Sequence, residues 1–308
     1  MGAAIVSRVW SESPLLKGLI EHGLLVPTRT MGIWGRSAVF ERVVSALERL
    51  IDEETRADGA SFLRFPPVIP RQDFERSEFA KAFPQLGGVV HSFDGDSTQH
   101  QKMQERIEAG GDWSEFVKMT DAVLAPAACY PVYATLSGVL PPEGRLFDVS
   151  AYCFRHEPSP DPTRMLAFRM REQVRAGTPA DVVAFRESWI LRAGQLFERL
   201  MVPAYPAPAS DPFFGRGGRL LALTQCEQRL KFELLVSINS DQEPTAVMSF
   251  NYHQDHFGRA FGFSTPDGAV AHTACVGFGL ERICLALFQT HGFELDGWPS
   301  TLLSSLKP

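Results

Sequence analysis

The sequence predicts an α+β protein built on an antiparallel sheet with helices packed outside it. Short strand-like segments succeed one another in hairpin fashion at 121–131, 146–157, 166–177, 230–238, 245–253 and 270–279. Helical periodicity lies outside these runs instead of alternating with them one for one, as βαβ units would require. At 308 residues, 44% hydrophobic and 21% charged, the chain can bury a proper core as one large domain or two small ones.

Taken in order, residues 1–6 (Met, Gly, Ala, Ala, Ile, Val) have no basic segment leading into a long apolar core, which argues against a signal peptide. They also lack the hydroxyl residue at position six that myristoylation wants. No apolar run approaches the length that spans a bilayer, so the expectation is a cytoplasmic protein with no membrane partner. Residues 15–26 and 36–55 read as helices. The second has Ser37 as N-cap and an apolar face of Val39, Phe40, Val43, Val44, Leu47, Leu50 and Ile51. Residues 62–69 read as a strand running into a double proline, and 87–93 as a further strand. Residues 180–201 form an amphipathic helix with Trp189 and Leu196 inward and Arg186, Arg192 and Arg199 on its solvated side. The stretch "PAYPAPASDP" at 203–212 reads as a rigid linker. A last helix covers 280–291.

Five cysteines, Cys129, Cys153, Cys226, Cys275 and Cys284, are odd in number and irregular in spacing. That pattern argues against a disulfide framework and for free thiols or a metal site assembled in space. A net charge of −6 does not suit a protein gripping a long polyanion. From Arg145 to Arg199, however, there are nine arginines and no lysine. Guanidinium is the group that takes phosphate or carboxylate bidentately.

The stretch "CFRHEPSPDPTRMLAFRMREQ" (153–173) concentrates that character. It reads as the ends of two antiparallel strands joined by a proline-rich loop. Alternation puts Arg155 with Glu157 on one face and Phe168 with Glu172 on another. Arginine for phosphate, a ring for a base and a carboxylate for an exocyclic amine suit a nucleotide; a salt-bridged surface hairpin is the alternative. In "CVGFGLERICLALF" (275–288), Gly277 and Gly279 permit close approach on a strand. Arg282 follows at the start of a helix, a good place for polyphosphate. His253, His256 and His272 read as hydrogen-bonded structural residues.

Together the two stretches resemble the class II aminoacyl-tRNA synthetases. Arg155-His156-Glu157, a loop and Phe168 match that family's second motif, and Gly277-Phe278-Gly279-Leu280-Glu281-Arg282 its third. Residues 59–67 match the first, which in the family lies at the dimer interface. The implied fold is a class II synthetase-like antiparallel sheet flanked by helices, forming a homodimer. More closely, the chain resembles the amino acid:[carrier protein] ligases, relatives of the atypical zinc-dependent seryl-tRNA synthetases. "LAPAACYP" puts Cys129 where many class II enzymes keep a threonine and a glutamate, Glu172 lies four residues beyond Phe168, and Cys275 opens the third motif.

The resemblance implies that Cys129, Glu172 and Cys275 hold one zinc per subunit, leaving a position for the substrate amine. Cys153, Cys226 and Cys284 match no family position and read as packing or surface thiols. It further implies that Arg155 and Arg282 are the catalytic pair, at the α- and γ-phosphates, with Arg164 also at the γ-phosphate. Glu157 and Phe168 would take adenine, beside Met165. Lys231 and Glu233 would meet ATP and its Mg²⁺. Ala246, Val247, Met248 and Ser249 would line the nucleotide, with Ser249, Asn251 and Glu172 at the amino acid. Thr245 stands roughly where ordinary seryl enzymes keep a second metal-binding glutamate, which leaves the number of magnesium ions open.

The implied reaction activates a small amino acid, glycine before alanine, with ATP to an aminoacyl-adenylate. The acyl group then passes to the phosphopantetheine thiol of a small acidic carrier protein. Residues 213–233, with Arg216, Arg219 and Arg229, are the expected carrier contact. The chain reads as a single catalytic domain, residues 1–308, without a tRNA-binding domain and so without tRNA as partner. The alternatives are a truncated seryl- or alanyl-type synthetase and a non-catalytic paralogue that binds an amino acid or nucleotide.

Overall fold

The computed structural model describes residues 13–240 and 242–306. The reading of residues 1–6 lies outside the described residues. Helix α1 (Pro14–Glu21) is capped by Ser13, whose side chain accepts from the Leu16 amide. It stops earlier than the apolar periodicity suggests. Gly23 takes φ +64°, a conformation that costs glycine little, and the chain turns into a hairpin of β1 (Leu25–Pro27) and β2 (Trp34–Arg36). Leu24 and Leu25 prolong the apolar pattern because they are core residues of that hairpin. Helix α2 (Ala38–Thr55) follows the expected bounds, with Ser37 as N-cap and the expected face buried.

The double proline divides the segment read as one strand. Before it, β3 (Ser61–Arg64) joins the main sheet; after it, β4 (Val68–Pro70) joins a separate three-stranded sheet. Two consecutive residues without an amide donor cannot continue a ladder. The small sheet has order β4, β6, β5, with β5 (Val89–Phe93), the capped but unburied helix α3 (Ser97–Glu108) and β6 (Val117–Leu124). The strand expected at 121–131 ends at Leu124. Its second half is a loop and a single helical turn, α4 (Tyr130–Tyr133), with Cys129 at the N-cap and Pro131 in the turn.

The main sheet holds β7 (Arg145–Phe154), β8 (Ala167–Gly177), β9 (Tyr205–Pro208), β10 (Lys231–Val236), β11 (Thr245–Gln254) and β12 (His272–Gly279), as well as β3. Its order is β9, β10, β11, β12, β8, β7, β3. Every pairing is antiparallel except β3 with β7, so the predicted sheet class holds. Between the strands come α5 (Pro179–Arg199) and α6 (Gly218–Glu227), and α7 (Leu280–His291) follows β12. Residues 203–212 are not a linker: β9 is an edge strand paired along its length with β10. Prolines are tolerated there because an edge leaves their missing donors unneeded.

Alternation divides the sheet into two faces. Leu234, Phe250, Val276 and Phe278 pack with α2, α5 and α7 in the largest core, where Trp189 meets Phe278 edge-on at 5.6 Å. Phe168, Met170, Glu172, Cys275 and Gly277 point the other way and line a cavity. Of the α5 arginines expected on its solvated side, Arg199 is exposed, whereas Arg186 and Arg192 are packed against other groups. Arg186 is buried, donates to the Arg229 carbonyl oxygen at 2.7 Å and lies over Phe232. Arg192 sits 3.8 Å from the Trp189 ring and pairs with Asp58, while Arg199 pairs with Glu54. Long aliphatic stems let guanidinium cover apolar surface while its head finds acids. Among the described residues no helix is long and apolar enough to cross a membrane.

Candidate active site

Motif-bearing strands converge on one cavity of about 570 Å³. The register of β8, β12 and β11 sets its floor: Glu172 is opposite Gly277, Gly277 opposite Ser249, and Cys275 opposite Asn251. Glu172 is therefore a diagonal neighbour of Cys275 on the same face, within reach of a longer side chain. A Cβ on Gly277 would lie 3.1 Å from both Met170 Cε and Ser249 Oγ, so glycine keeps this floor open.

The third corner comes from the loop before α4. Cys129, Glu172 and Cys275 are all buried, and their ligand atoms lie within 4.8 Å of one another. The Ala128 amide donates to Glu172 Oε1 at 2.9 Å, tying the strand carboxylate to the loop that carries Cys129. Burial pushes the Cys129 thiol far up, and Cys275 and Glu172 add to that. The Cys275 thiol is lowered by its hydrogen bond with Cys129, but burial and the Glu172 charge outweigh this and raise it. Ligands at the bond lengths zinc takes lie roughly 3.5 Å apart in a tetrahedron. Donor type, spacing and burial are compatible with that ion.

The arginines line the same cavity. Strand β7 ends at Phe154, so Arg155 and Glu157 lie just past it instead of on its face. Arg155 donates from Nε to the Pro126 carbonyl oxygen at 3.0 Å, and its guanidinium lies 5.5 Å from the Phe168 ring centroid. Glu157 accepts from Arg164 at 3.3 Å. Arg282 donates to the Thr163 and Ala246 carbonyl oxygens at 2.8 and 3.0 Å, which aims it between the loop and β11. Burial draws the Arg282 pKa down, and the facing charges of Arg155 and Arg164 reinforce that. Three guanidiniums converge here and Glu157 pairs with Arg164 alone among them, so the cluster keeps a positive excess suited to a polyanion.

Met165, Ala246, Val247, Met248, Lys231 and Glu233 also line the cavity. Lys231 is buried and pairs with Asp211 at 2.6 Å and Glu233 at 2.9 Å. Burial works against its charge, and the two acids more than restore it. Sequence reasoning missed Asp211, which lay in the supposed linker. It also missed that Arg169 and Arg171 turn away from the cavity: Arg169 pairs with Glu41 and Glu281, and Arg171 with Asp52 and Asp148. Strict alternation along β8 was the available signal. His256 and His272 are hydrogen-bonded to the Ser77 carbonyl and to Tyr252, as expected. His253 meets Thr273 at 3.1 Å but also stands 3.6 Å from Cys275 Sγ, and burial pushes its pKa down to about 3.

Cys153 and Cys284 are packed in the cores, and Cys226 is half-buried on α6. Arg216, Arg219 and Arg229 are exposed and outside the cavity lining. Arg229 folds over the Phe232 ring. The exposed surface of α6 and its approach is largely apolar, with Phe214, Leu220, Leu221 and Leu223 all more than half exposed. Leu221 reaches the cavity rim.

No protein-family model matches the chain. It is 46% identical over 305 residues to amino acid–[acyl-carrier-protein] ligase 1 of Bradyrhizobium diazoefficiens, covering 97% of this chain and 93% of that protein. Ligase 2 of the same organism is 43% identical over 304 residues, with 97% and 91% covered. A type-2 serine–tRNA ligase of Methanopyrus kandleri is 27% identical over 279 residues, 83% of this chain but 53% of that one. Among solved structures, the M. kandleri seryl-tRNA synthetase in complex with A. aeolicus tRNASec superposes with a TM-score of 0.82 at 23% identity. It covers 97% of this chain and 61% of that one, and the class II synthetase-like fold expected from the motifs is the fold observed.

Proposed function

The chain belongs to the amino acid–[acyl-carrier-protein] ligases, and from that premise we propose that it activates a small amino acid with ATP and passes it to a carrier-protein thiol. The observation that carries this reading is the single cavity holding both the cysteine–glutamate–cysteine trio and the arginine cluster. The trio suits an amine and the arginines suit a triphosphate.

Zinc held by Cys129, Glu172 and Cys275 would offer its fourth position to the α-amino group and so orient the substrate. The protein's own groups do the rest. Arg155 meets the α-phosphate while Phe168 stacks on adenine and Glu157 takes its amine. Arg164 and Arg282 hold the γ-phosphate, Lys231 contacts ATP, and Glu233 faces the Mg²⁺ that accompanies it. The carboxylate oxygen attacks the α-phosphorus, the α–β bridging P–O bond breaks, and pyrophosphate leaves on the arginines. Positioning and charge neutralisation supply most of the acceleration. In the second half, the carrier sulfur attacks the acyl carbon of the adenylate. Its proton is lost, AMP departs and a thioester remains.

Glycine is the favoured substrate and alanine the next. Met170, Ser249 and Asn251 line the cavity together with the trio and would flank the bound amino acid. Strand β3 at the sheet edge, with Phe62 exposed, supports a homodimer through residues 59–67. Helix α6, with its exposed leucines and with Arg216 and Arg219 beside them, is the proposed carrier contact. The experiment is amino-acid-dependent ATP–pyrophosphate exchange with glycine, alanine and serine on protein of known zinc content. Exchange with a small amino acid that chelation abolishes supports adenylation at this site. No exchange with any of them in zinc-replete protein rejects it.

A further inference from the structure

Beyond the three ligating side chains, the structure surrounds the site with donors aimed at them. Asn251 Nδ2 lies 3.4 Å from Cys275 Sγ and also donates to Ser249 Oγ at 3.2 Å. His253 Nε2 lies 3.6 Å from the same sulfur. The Thr273 hydroxyl, 3.1 Å from His253 Nδ1, can donate to that nitrogen, which leaves the ring proton on Nε2 facing the sulfur. Tyr133, whose ring meets that of His253 edge-on at 5.9 Å, is fully buried, and its hydroxyl has no hydrogen-bond partner among the described residues. That hydroxyl belongs to a ring stacked on Phe257 at 3.8 Å, packed in one cluster with Cys129.

We propose that Tyr133, Asn251 and His253 form an outer ring of hydrogen-bond donors to the sulfurs of Cys129 and Cys275. With the Ala128 amide on Glu172, each of the three ligating side chains is then held by a donor. The inference rests on the zinc reading above and deepens it. Two thiolates and a carboxylate around a dication leave one net negative charge in a buried place, and that is costly without donors to spread it. A tyrosine hydroxyl buried without a partner is costly too, and a thiolate acceptor resolves both at once. These residues are positioning residues: they direct the sulfurs and tune their electron donation, as outer-shell partners of ligands do.

The test uses purified full-length protein in zinc-loaded, metal-free and cobalt-substituted forms. Tyr133→Phe and Asn251→Leu each remove a donor with little change of volume. Each should weaken zinc binding about tenfold in competition with a chromophoric chelator. Each should also shift the thiolate-to-cobalt charge-transfer band. The metal-free Tyr133→Phe protein should unfold no earlier than the metal-free parent, while the zinc-loaded one unfolds earlier; a purely structural tyrosine would behave alike in both. Unchanged zinc affinity and an unchanged cobalt spectrum in the two variants overturn the inference. Cys129→Ser separates the two levels. If it takes up as much zinc as the parent, or if the parent takes up none, the zinc reading fails and the outer ring falls with it.

Discussion

Glu281 reaches from the first turn of α7 to Arg169 on β8, accepting from its backbone amide and from its guanidinium Nε, each at 2.7 Å. Arg36 adds a third donor at 2.7 Å, and Arg169 continues to Glu41 on α2. The pair ties the start of α7 to the strand beneath it, and the next residue along is Arg282. Removing one partner from a buried ion network leaves the other charge uncompensated. Glu281→Ala should therefore lose about 3 kcal/mol of stability in chemical denaturation. The exchange rate should also fall at temperatures where the variant remains folded, because the first turn of α7, which carries Arg282, loses its tie to β8. A variant as stable as the parent would show that the network carries no net stabilisation.

Arg282 itself is held by two carbonyl oxygens and faces Arg155 and Arg164. Arg282→Ala should lower the ATP–pyrophosphate exchange rate by about 10²-fold or more, the scale for losing a preorganised donor to developing charge. An unchanged rate would remove it from the phosphate site.

Cys129 is a corner of the trio yet belongs to a short loop and turn, so its loss should spare the fold. Cys129→Ala is expected to abolish zinc retention and adenylate formation while circular dichroism stays native. Activity without metal would sink the assignment of zinc to the amine.

On α6, the exposed leucines and the neighbouring arginines make different predictions about the carrier. Leu220→Asp should raise KM for the carrier severalfold and leave amino-acid-dependent exchange unchanged, since Leu220 is 68% exposed and outside the cavity. Reversing Arg216 and Arg219 to Glu should weaken association most at low salt, where unscreened attraction to an acidic partner counts. If neither change affects thioester formation, the carrier docks elsewhere.

The pH dependence of stability carries a signature of His253. Its pKa is 6.5 in the open chain and about 3 in the fold, because burial disfavours the charged ring. Below pH 6.5 the unfolded chain binds a proton that the folded one refuses. Stability should therefore fall with pH by up to about 1.4 kcal/mol per unit from there towards pH 3. In metal-free protein, His253→Gln should lose this part of the slope. An identical slope would mean that the folded ring titrates normally.

Much of the chemistry was readable in linear order. Arg155, Glu157, Phe168, Glu172, Cys275 and Arg282 sit in motifs whose local pattern is nearly their whole content, and all line one cavity. Helices α2, α5 and α7 appear within a few residues of where apolar periodicity puts them. The misreadings share a cause. Residues 203–212 looked like a linker because proline disfavours regular structure, yet an edge strand tolerates it. Arg186 and Arg192 of α5 looked solvated because charge usually is, yet Asp58 and two aromatic rings receive them.

The sequence by itself determined the antiparallel class of the sheet, the helices α2, α5 and α7 and the family, since alternation, capping and motif spacing are properties of near neighbours along the chain. Only the tertiary structure decided which distant residues meet. It set Cys129 beside Glu172 and Cys275, gave Lys231 its partner Asp211, and brought His253 to 3.6 Å from the Cys275 sulfur. Those relations depend on strand register, loop path and burial. A local pattern cannot encode them, because each is chosen by packing against segments far away in the chain.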